Sequence, residues 1–413
     1  DVHHLRQAGK SRLIHCLFDG LGRPVERCGI EGSDMLQSVD LFCKVIDNYG
    51  DIGVCWRLAR QLQQEYGLQV RLWVDDLDSF LPLCPELRTE LPQQQCRGVD
   101  IYLWQGPLPA VTPHQLVIEA FACDLPPEFV AAMAQQPDKP VWINLEYLSA
   151  EPWVEDCHQM ASLQPRWALT KYFFFPGFSP ATGGLLCERE LLSQRRQFQS
   201  DPALQAEFWR LLGVPLPQAG ELRVSLFAYE NRAAARLLHA MAVGGHPVTC
   251  MLPLSRVAGD VFAWLGVESA QPGQKFERGA LTVQVLPFVE QRVYDRLLWA
   301  CDINFVRGED SLVRAQWAAR PFIWHIYPQD EGAHWPKLDA LQQRYCQQLD
   351  GAAAAALRGL WHAWNQQSEI TDAWQQFCQQ QVVLGAHADQ WADHLAGLGD
   401  LAANLLHFCK KIS

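Results

Sequence analysis

The stretch that most constrains the fold is residues 301–327, CDINFVRGEDSLVRAQWAARPFIWHIY. It predicts a short apolar strand over 302–306, a polar turn, and a helix that begins near Ser311. A second apolar run over 321–326 predicts another buried strand. Two buried strands joined through a helix favour a parallel sheet, because parallel neighbours need such a crossover.

The turn in this stretch has the composition of an anion site: Arg307, Gly308, Glu309 and Asp310, followed by Ser311. A helix N-terminus carries partial positive charge and an arginine supplies a fork of donors, and together they can hold a diphosphate. The other interpretation is an ordinary turn, in which Asp310 or Ser311 caps the helix and Arg307 forms a surface ion pair.

Composition narrows the class of protein. The 413 residues correspond to about two domains. A net charge of −12 argues against direct binding of nucleic acid. Apolar runs stay well short of the ~18 residues of a membrane span, so we expect no membrane contact. The fourteen cysteines form no Cys-x-x-Cys pair, which predicts reduced thiols in a cytoplasmic protein and neither disulfides nor a zinc site.

Hydrophobic patterns divide the chain into four parts. Residues 1–34 show no sustained period, and we expect a non-native or disordered extension that ends before Met35. Strand and helix patterns alternate over 35–218, less regularly after residue 150, and again over 219–390. Such alternation predicts an α/β protein with two Rossmann-like domains that face each other across a cleft. The helical pattern at the end predicts C-terminal helices, of which 391–413 packs back on the first domain.

The loop after the first predicted strand, DNYGDIG over residues 47–53, offers two carboxylates at the carboxyl end of that strand. Its glycine spacing does not match the dinucleotide fingerprint, which disfavours an NAD-linked oxidoreductase. Asp51 is a candidate general base. Its alternative role is a plain helix cap.

Further candidates follow other predicted strands. Phe227, Tyr229, Phe288 and Gln291 place aromatic rings and an amide where a nucleobase could stack and be recognised, although each aromatic could equally be core. Glu146 could shape an acceptor site, or serve as a cap or structural ion pair. The polar residues around 325–334 match no standard spacing of metal ligands, so we expect no metal site.

Six segments carry a resemblance to a known family: CKVIDNYGDIGVCWRLARQL, IEAFACDLP, INLEYLSAE, KYFFFPGF, RGEDSLVRAQWA and FIWHIYPQDE. From about Val39 onward the chain resembles the bacterial protein-arginine rhamnosyltransferases that modify translation elongation factor P. The resemblance implies an inverting glycosyltransferase of the GT-B type. It implies dTDP-β-L-rhamnose as donor, an arginine guanidinium of elongation factor P as acceptor, relief of ribosomes stalled on polyproline, and no cofactor or metal.

The resemblance also assigns roles to residues of this chain. The implied catalytic residues are Asp51, Glu309 and Asp47. The implied acceptor side consists of Asn48, Tyr49, Gly50 and Glu146. The implied donor site consists of Phe227, Tyr229, Phe288, Gln291, Tyr294, Arg307, Glu309, Asp310 and Ser311. Related retaining enzymes often carry a second acid eight positions after the first, and Trp317 in that place favours inversion.

Two other functions remain open from the sequence. One is a different nucleotide-sugar enzyme on the same fold, either a transferase or an epimerase. The other is a non-catalytic protein that binds dTDP. The identity of the sugar rests on the resemblance alone.

Overall fold

The structure is a computed structural model that describes residues 36–413, and the expectation for residues 1–34 lies outside them. The described chain builds two α/β units, each around its own mostly parallel sheet. The predicted class, two Rossmann-like domains with C-terminal helices, is confirmed.

The first sheet has eight strands in the order β3-β4-β2-β1-β5-β6-β8-β7, with antiparallel pairing only between β3 and β4 and between β7 and β8. Its strands are β1 Ser38–Cys43, β2 Gln69–Val74, β3 Gln93–Cys96, β4 Val99–Leu103, β5 Leu116–Ala120, β6 Val141–Leu145, β7 Ala161–Gln164 and β8 Leu169–Phe174. The helices along this part are α1 Tyr49–Tyr66, α2 Leu77–Phe80, α3 Pro127–Gln135 and α4 Trp153–Cys157, with a 3-10 turn at Leu81–Leu83.

The second sheet has six strands in the order β11-β12-β10-β9-β13-β14, parallel except for β11. Its strands are β9 Leu222–Leu226, β10 Val248–Pro253, β11 Lys275–Arg278, β12 Leu281–Leu286, β13 Ile303–Arg307 and β14 Phe322–His325. The helices are α5 Leu191–Ser200, α6 Pro202–Leu212, α7 Ala234–Val243, α8 Ala258–Leu265, α9 Gln291–Ala300 and α10 Asp310–Trp317. The C-terminal helices are α11 Trp335–Tyr345, α12 Gly351–Gln366, α13 Thr371–Gln379, α14 Gln381–Ala396 and α15 Leu401–Ile412, with 3-10 turns at Asp330–Gly332 and Cys346–Gln348.

The strand orders explain where a ligand can bind. In the first sheet the order reverses at β1, which lies between β2 and β5. In the second sheet it reverses at β9, which lies between β10 and β13. Loops that leave neighbouring strands in opposite directions open a crevice at such a point, beyond the carboxyl ends of the strands. The loops after β1, β9 and β13 therefore converge.

The segment expected to be less regular contains two strands, β7 and β8. The ring of Phe408, on α15, packs edge-on against Tyr172 of β8 at 5.5 Å and tilted against Phe174 at 5.9 Å. Helix α15 thus covers β8 from a distant part of the chain. Nothing in the sequence around β8 indicates that α15 packs on it. For this reason the sequence did not predict this strand.

The last two helices of the chain pack against different sheets. Trp391 and Leu395 of α14 belong to the core around the second sheet, as do Phe208 and Trp209 of α6. Leu405 and its neighbours on α15 belong to the core of the first sheet. The domain boundaries expected at residues 218 and 390 stay predictions. Between residues 36 and 413, no helix is long and apolar enough to cross a membrane.

A buried carboxylate anchors the centre of the first sheet. Asp40 accepts hydrogen bonds from Arg71 Nε at 2.5 Å, Arg71 Nη2 at 2.9 Å, Trp73 Nε1 at 2.8 Å and the backbone N–H of His114 at 2.8 Å. Its side chain is fully buried. A charge in this position is stable only while its partners remain.

We predict that Asp40→Ala lowers the free energy of unfolding by roughly 3–5 kcal/mol, because it leaves the Arg71 guanidinium buried without its partner. Urea unfolding followed by fluorescence measures the change. The matched control is Asp393→Ala, whose pair with Arg196 is 59% exposed on both sides, and it should leave stability unchanged. An Asp40→Ala variant as stable as this control would contradict the prediction.

Candidate active site

A cleft of about 530 Å³ lies where the loops after β1, β9 and β13 meet. It is lined by residues of both domains, which are Asp47, Tyr49, Gly50, Leu83, Phe227, Tyr229, Pro253, Phe288, Val289, Gln291, Tyr294, Arg307, Gly308, Asp310 and Ser311. Most of the residues predicted for the donor site therefore lie together. Asn48, Asp51, Glu146 and Glu309 are outside this lining.

Arg307 lines the cleft. Its guanidinium lies over the rings of Tyr229 at 4.6 Å, Phe227 at 4.9 Å and Tyr49 at 5.4 Å. The residue is buried, and its Nη1 has no hydrogen-bond partner within residues 36–413. A buried cationic donor without an acceptor is rare in native structures. It marks a place for an anionic ligand.

The turn after Arg307 presents a helix N-terminus to the same cleft. Helix α10 begins at Asp310, and its N-cap residue Glu309 makes no side-chain cap among the described contacts. The Ser311 hydroxyl instead accepts the Arg307 N–H at 3.0 Å and donates to the Arg307 carbonyl. The first N–H groups of α10 therefore lack the side-chain cap of an ordinary turn, which favours an anion there.

Gly308 is required by the close approach of the two domains. Its φ is +59°, and a Cβ atom there would lie 2.9 Å from Asp47 Oδ2 and 3.0 Å from Tyr229 Oη. These two atoms are themselves joined, since the Tyr229 hydroxyl donates to Asp47 Oδ2 at 2.5 Å. Burial raises the pKa of Asp47, while the bond from Tyr229 lowers it. Asp47 Oδ1 is buried with no partner in the described chain.

Asp51 lies in the first turn of α1 and is buried. Its Oδ2 accepts the backbone N–H groups of Ile46 at 2.8 Å and Asp47 at 2.9 Å, so it shapes the loop that precedes the helix. Burial raises its pKa, and hydrogen bonds from this backbone and from Tyr147 act in the opposite direction. Asp51 lies outside the cleft lining, and its role as a base stays a prediction.

Glu309 and Glu146 line a second, more apolar pocket of about 380 Å³ that shares Asp310 with the cleft. Glu309 Oε1 accepts from Lys337 Nζ at 3.2 Å, and its Oε2 accepts the Leu148 N–H at 3.0 Å. Burial raises the pKa of Glu309 to about 7, which the charge of Lys337 partly offsets. Glu146 accepts a hydrogen bond from Asn144 and is half-buried, with burial raising its pKa.

The remaining predicted residues divide between the cleft and the loop behind it. Tyr49 packs on Phe288 at 4.8 Å, and Phe227 packs on Tyr294 at 5.4 Å, so aromatic pairs flank the cleft. Asn48 instead accepts a hydrogen bond from the Ser79 hydroxyl at 3.4 Å. It has a φ of +35° at the N-cap position of α1.

Gln291 is held between the domains. Its Nε2 donates to the Gly53 carbonyl at 3.0 Å and to Asp310 Oδ2 at 3.2 Å, and its Oε1 accepts from Arg60 Nη2 at 3.2 Å. The amide expected to recognise a base therefore has partners on both its oxygen and its nitrogen. It still lines the cleft.

Three residues of this region were missed by the sequence analysis. Arg57 bonds Asp310, Lys337 bonds Glu309, and Tyr147 bonds Asp51. Arg57 could have been found from the sequence, because it is a charged residue in the apolar helical pattern that follows Asp51. The sequence gives no indication of the roles of Lys337 and Tyr147, because only the fold brings them near the carboxylates. No cluster of three or more His, Cys, Asp or Glu side chains that could hold a metal occurs within the described residues.

Comparison with known proteins identifies the family of this chain. Residues 39–410 match the family model described as Elongation-Factor P (EF-P) rhamnosyltransferase EarP. A protein-arginine rhamnosyltransferase of Pseudomonas putida is 51% identical over 372 residues, covering 90% of this chain and 98% of that protein. One of Neisseria meningitidis is 35% identical over 400 residues, covering 90% and 96%.

A solved structure described as the structural basis for EarP-mediated arginine glycosylation of translation elongation factor EF-P superposes with a TM-score of 0.65 at 38% identity. It covers 90% of this chain and 98% of that chain. The family resemblance read from the sequence is thereby confirmed. This chain belongs to the EarP family and is a glycosyltransferase.

Proposed function

We propose that this enzyme transfers L-rhamnose from dTDP-β-L-rhamnose to an arginine guanidinium of elongation factor P, with inversion at the sugar carbon. Membership in the EarP family supports the reaction. The structural observation that carries the proposal is the buried guanidinium of Arg307, whose Nη1 lacks a partner among residues 36–413, beside the N-terminus of α10. Together they match the diphosphate of a nucleotide sugar.

The donor lies along the wall of the second domain in this proposal. Phe227, Phe288 and Tyr294 offer apolar ring faces for the thymidine, and Gln291 stands beside them. The diphosphate faces Arg307 and the first N–H groups of α10. These groups stabilise the negative charge that the leaving diphosphate gains in the transition state, so a metal ion is not required.

The acceptor approaches from the first domain. A guanidinium is a poor nucleophile because it stays protonated at neutral pH. Asp51 takes a proton from the attacking nitrogen, and the carboxylates of Asp47 and Glu309 pair with the remaining positive charge. The nitrogen forms a bond to C1 of rhamnose as the bond between C1 and the diphosphate oxygen breaks. The electron pair of that bond leaves with dTDP.

A single displacement of this kind inverts the sugar carbon. Retention by double displacement would require a second acid to form the covalent intermediate. At the position where related retaining enzymes often have one, Trp317 is buried and its Nε1 donates to the Leu186 carbonyl at 2.8 Å. This packing role supports inversion.

The proposed acceptor is a translation factor, so we expect the enzyme to act in the cytoplasm. Modification of this factor would relieve the stalling of ribosomes on polyproline.

The test of the proposal is the intact mass of elongation factor P after incubation with this enzyme and dTDP-L-rhamnose. We expect a gain of one deoxyhexose that is lost when the acceptor arginine is changed to lysine.

Asp51→Ala should abolish the mass gain while dTDP affinity stays within about threefold of wild type, because a base acts on the acceptor and not on the donor. Loss of dTDP binding in Asp51→Ala would contradict its assignment as the base. If the wild-type enzyme binds dTDP but adds no mass to elongation factor P, the result would instead indicate another acceptor or a binding protein.

Arg307→Ala should weaken dTDP binding by roughly 10- to 100-fold, because it removes a charge-assisted donor from the diphosphate. Isothermal titration with dTDP, and with thymidine as a comparison, measures the effect. Thymidine carries no diphosphate, so its binding should change much less. Equal affinity for dTDP in the variant and the wild type would refute the diphosphate role.

The pH dependence of transfer should follow Glu309. Its pKa is raised to about 7, so its carboxylate form grows as pH rises through that value. If this form pairs with the acceptor guanidinium, kcat/KM for elongation factor P rises between about pH 6 and about pH 8. Lys337→Met removes the cation that lowers this pKa and should shift the profile to higher pH. Glu309→Gln should remove the inflection, and a profile unaffected by Lys337→Met would count against the assignment.

A further inference from the structure

A buried ion-pair cluster joins the two domains directly behind the cleft. Arg57 of α1 donates from Nε to Asp310 Oδ1 at 2.7 Å, and from Nη1 and Nη2 to the carboxylate of Asp295 at 3.1 Å each. Its side chain is 1% exposed. Removing the charge of a guanidinium from water costs free energy. Arg57 is therefore stable in this buried position only while these carboxylates pair with it.

A second arginine, Arg314, belongs to the cluster, and its positive charge is also paired with carboxylates. Arg314 of α10 holds Glu188 through two bonds of 2.7 and 2.5 Å and lies 3.7 Å from Asp295. Glu188 is also 3.6 Å from Arg57. Three carboxylates thus share two arginines. Burial lowers the pKa of Arg57 and the charge of Arg314 does so too, but the carboxylates outweigh both and raise it.

One of these carboxylates, Asp310, also lines the cleft. A free carboxylate at the N-terminus of α10 would repel a diphosphate at short range. Here both of its oxygens have partners, since Arg57 donates to Oδ1 and Gln291 donates to Oδ2. The pairing compensates the negative charge of Asp310 at the place where an anion must bind.

Helix α1 carries both this arginine and the proposed base. Asp51 lies in the first turn of α1, and Arg57 follows within the same helix. Between them, Gly53 lets the helix backbone pack on Asp310, where a Cβ atom would lie 3.3 Å from the Asp310 side chain. The pair therefore connects the start of α10 to the helix that bears Asp51.

We propose that Arg57 is a positioning residue that completes the donor site from the opposite domain. It acts through Asp310, whose charge it compensates and whose carboxylate it orients, so that the N-terminus of α10 accepts the diphosphate. This inference rests on the proposed function for the identity of the donor. It concerns donor binding, which can be measured without the acceptor.

The experiment compares Arg57→Met, Asp310→Asn and the double variant, with dTDP titration and rhamnosyl transfer measured separately. We expect Arg57→Met to weaken dTDP binding by roughly 10- to 100-fold, because the unpaired carboxylate faces the diphosphate. Adding Asp310→Asn removes that charge and should restore affinity to within about threefold of Asp310→Asn alone. A purely structural role would not show this rescue, since the losses would add.

Two further variants keep the test decisive. Arg57→Lys retains a charge but loses the planar fork, and it should bind dTDP with intermediate affinity even if Arg57→Met does not fold. Arg195→Met removes another buried arginine, paired with Asp389 at 3.4 Å, and should leave dTDP affinity unchanged. Thermal unfolding of every variant separates lost folding from lost binding.

Unchanged dTDP affinity in folded Arg57→Met, wild-type affinity in Arg57→Lys, or no rescue in the double variant would overturn the inference. Failure of the proposed function gives a different result. In that case the wild type would bind dTDP in an Arg57-dependent way, yet add no sugar to elongation factor P. That outcome would support the role of Arg57 in the nucleotide site and reject only the acceptor.

Discussion

Polar side chains paired across the cleft are the interaction on which the rest of this structure depends. The Tyr229 hydroxyl donates to Asp47, and the Arg57 guanidinium donates to Asp310, so each domain supplies one partner. Buried charges are tolerated only while they are paired. Because the partners belong to different domains, the first pair holds the loop after β1 against the loop after β9, and the second holds α1 against the start of α10.

Groups of opposite charge surround the cleft. Arg307 and the N-terminus of α10 provide positive charge for an anionic donor. Asp51 is buried, Asp47 and Glu309 are partly buried, and desolvation raises the pKa values of all three carboxylates. A cationic acceptor would supply a positive charge that pairs with these carboxylates. The arrangement suits a reaction between a nucleotide diphosphate sugar and a guanidinium.

The sequence predicted the fold class because apolar strands and helical periods alternate twice along the chain, and this pattern is local. It also predicted the turn at Arg307, where an unusual composition follows a buried strand. It missed β8, which is covered by α15 from the far end of the chain. It missed Lys337 and Tyr147 for the same reason, since their contacts with Glu309 and Asp51 arise only through folding.

By itself the sequence determined the two-domain α/β architecture, the family, and the set of residues from which a site could be built. Only the tertiary structure decided which of them share one cleft, and it placed Asp51 and Glu309 outside the main lining. It also decided that Asp310 is paired and that Arg307 Nη1 is free of partners within the described chain. The physical reason is that pairing and burial depend on distances between residues far apart in sequence, which hydrophobic periodicity and motif composition do not encode.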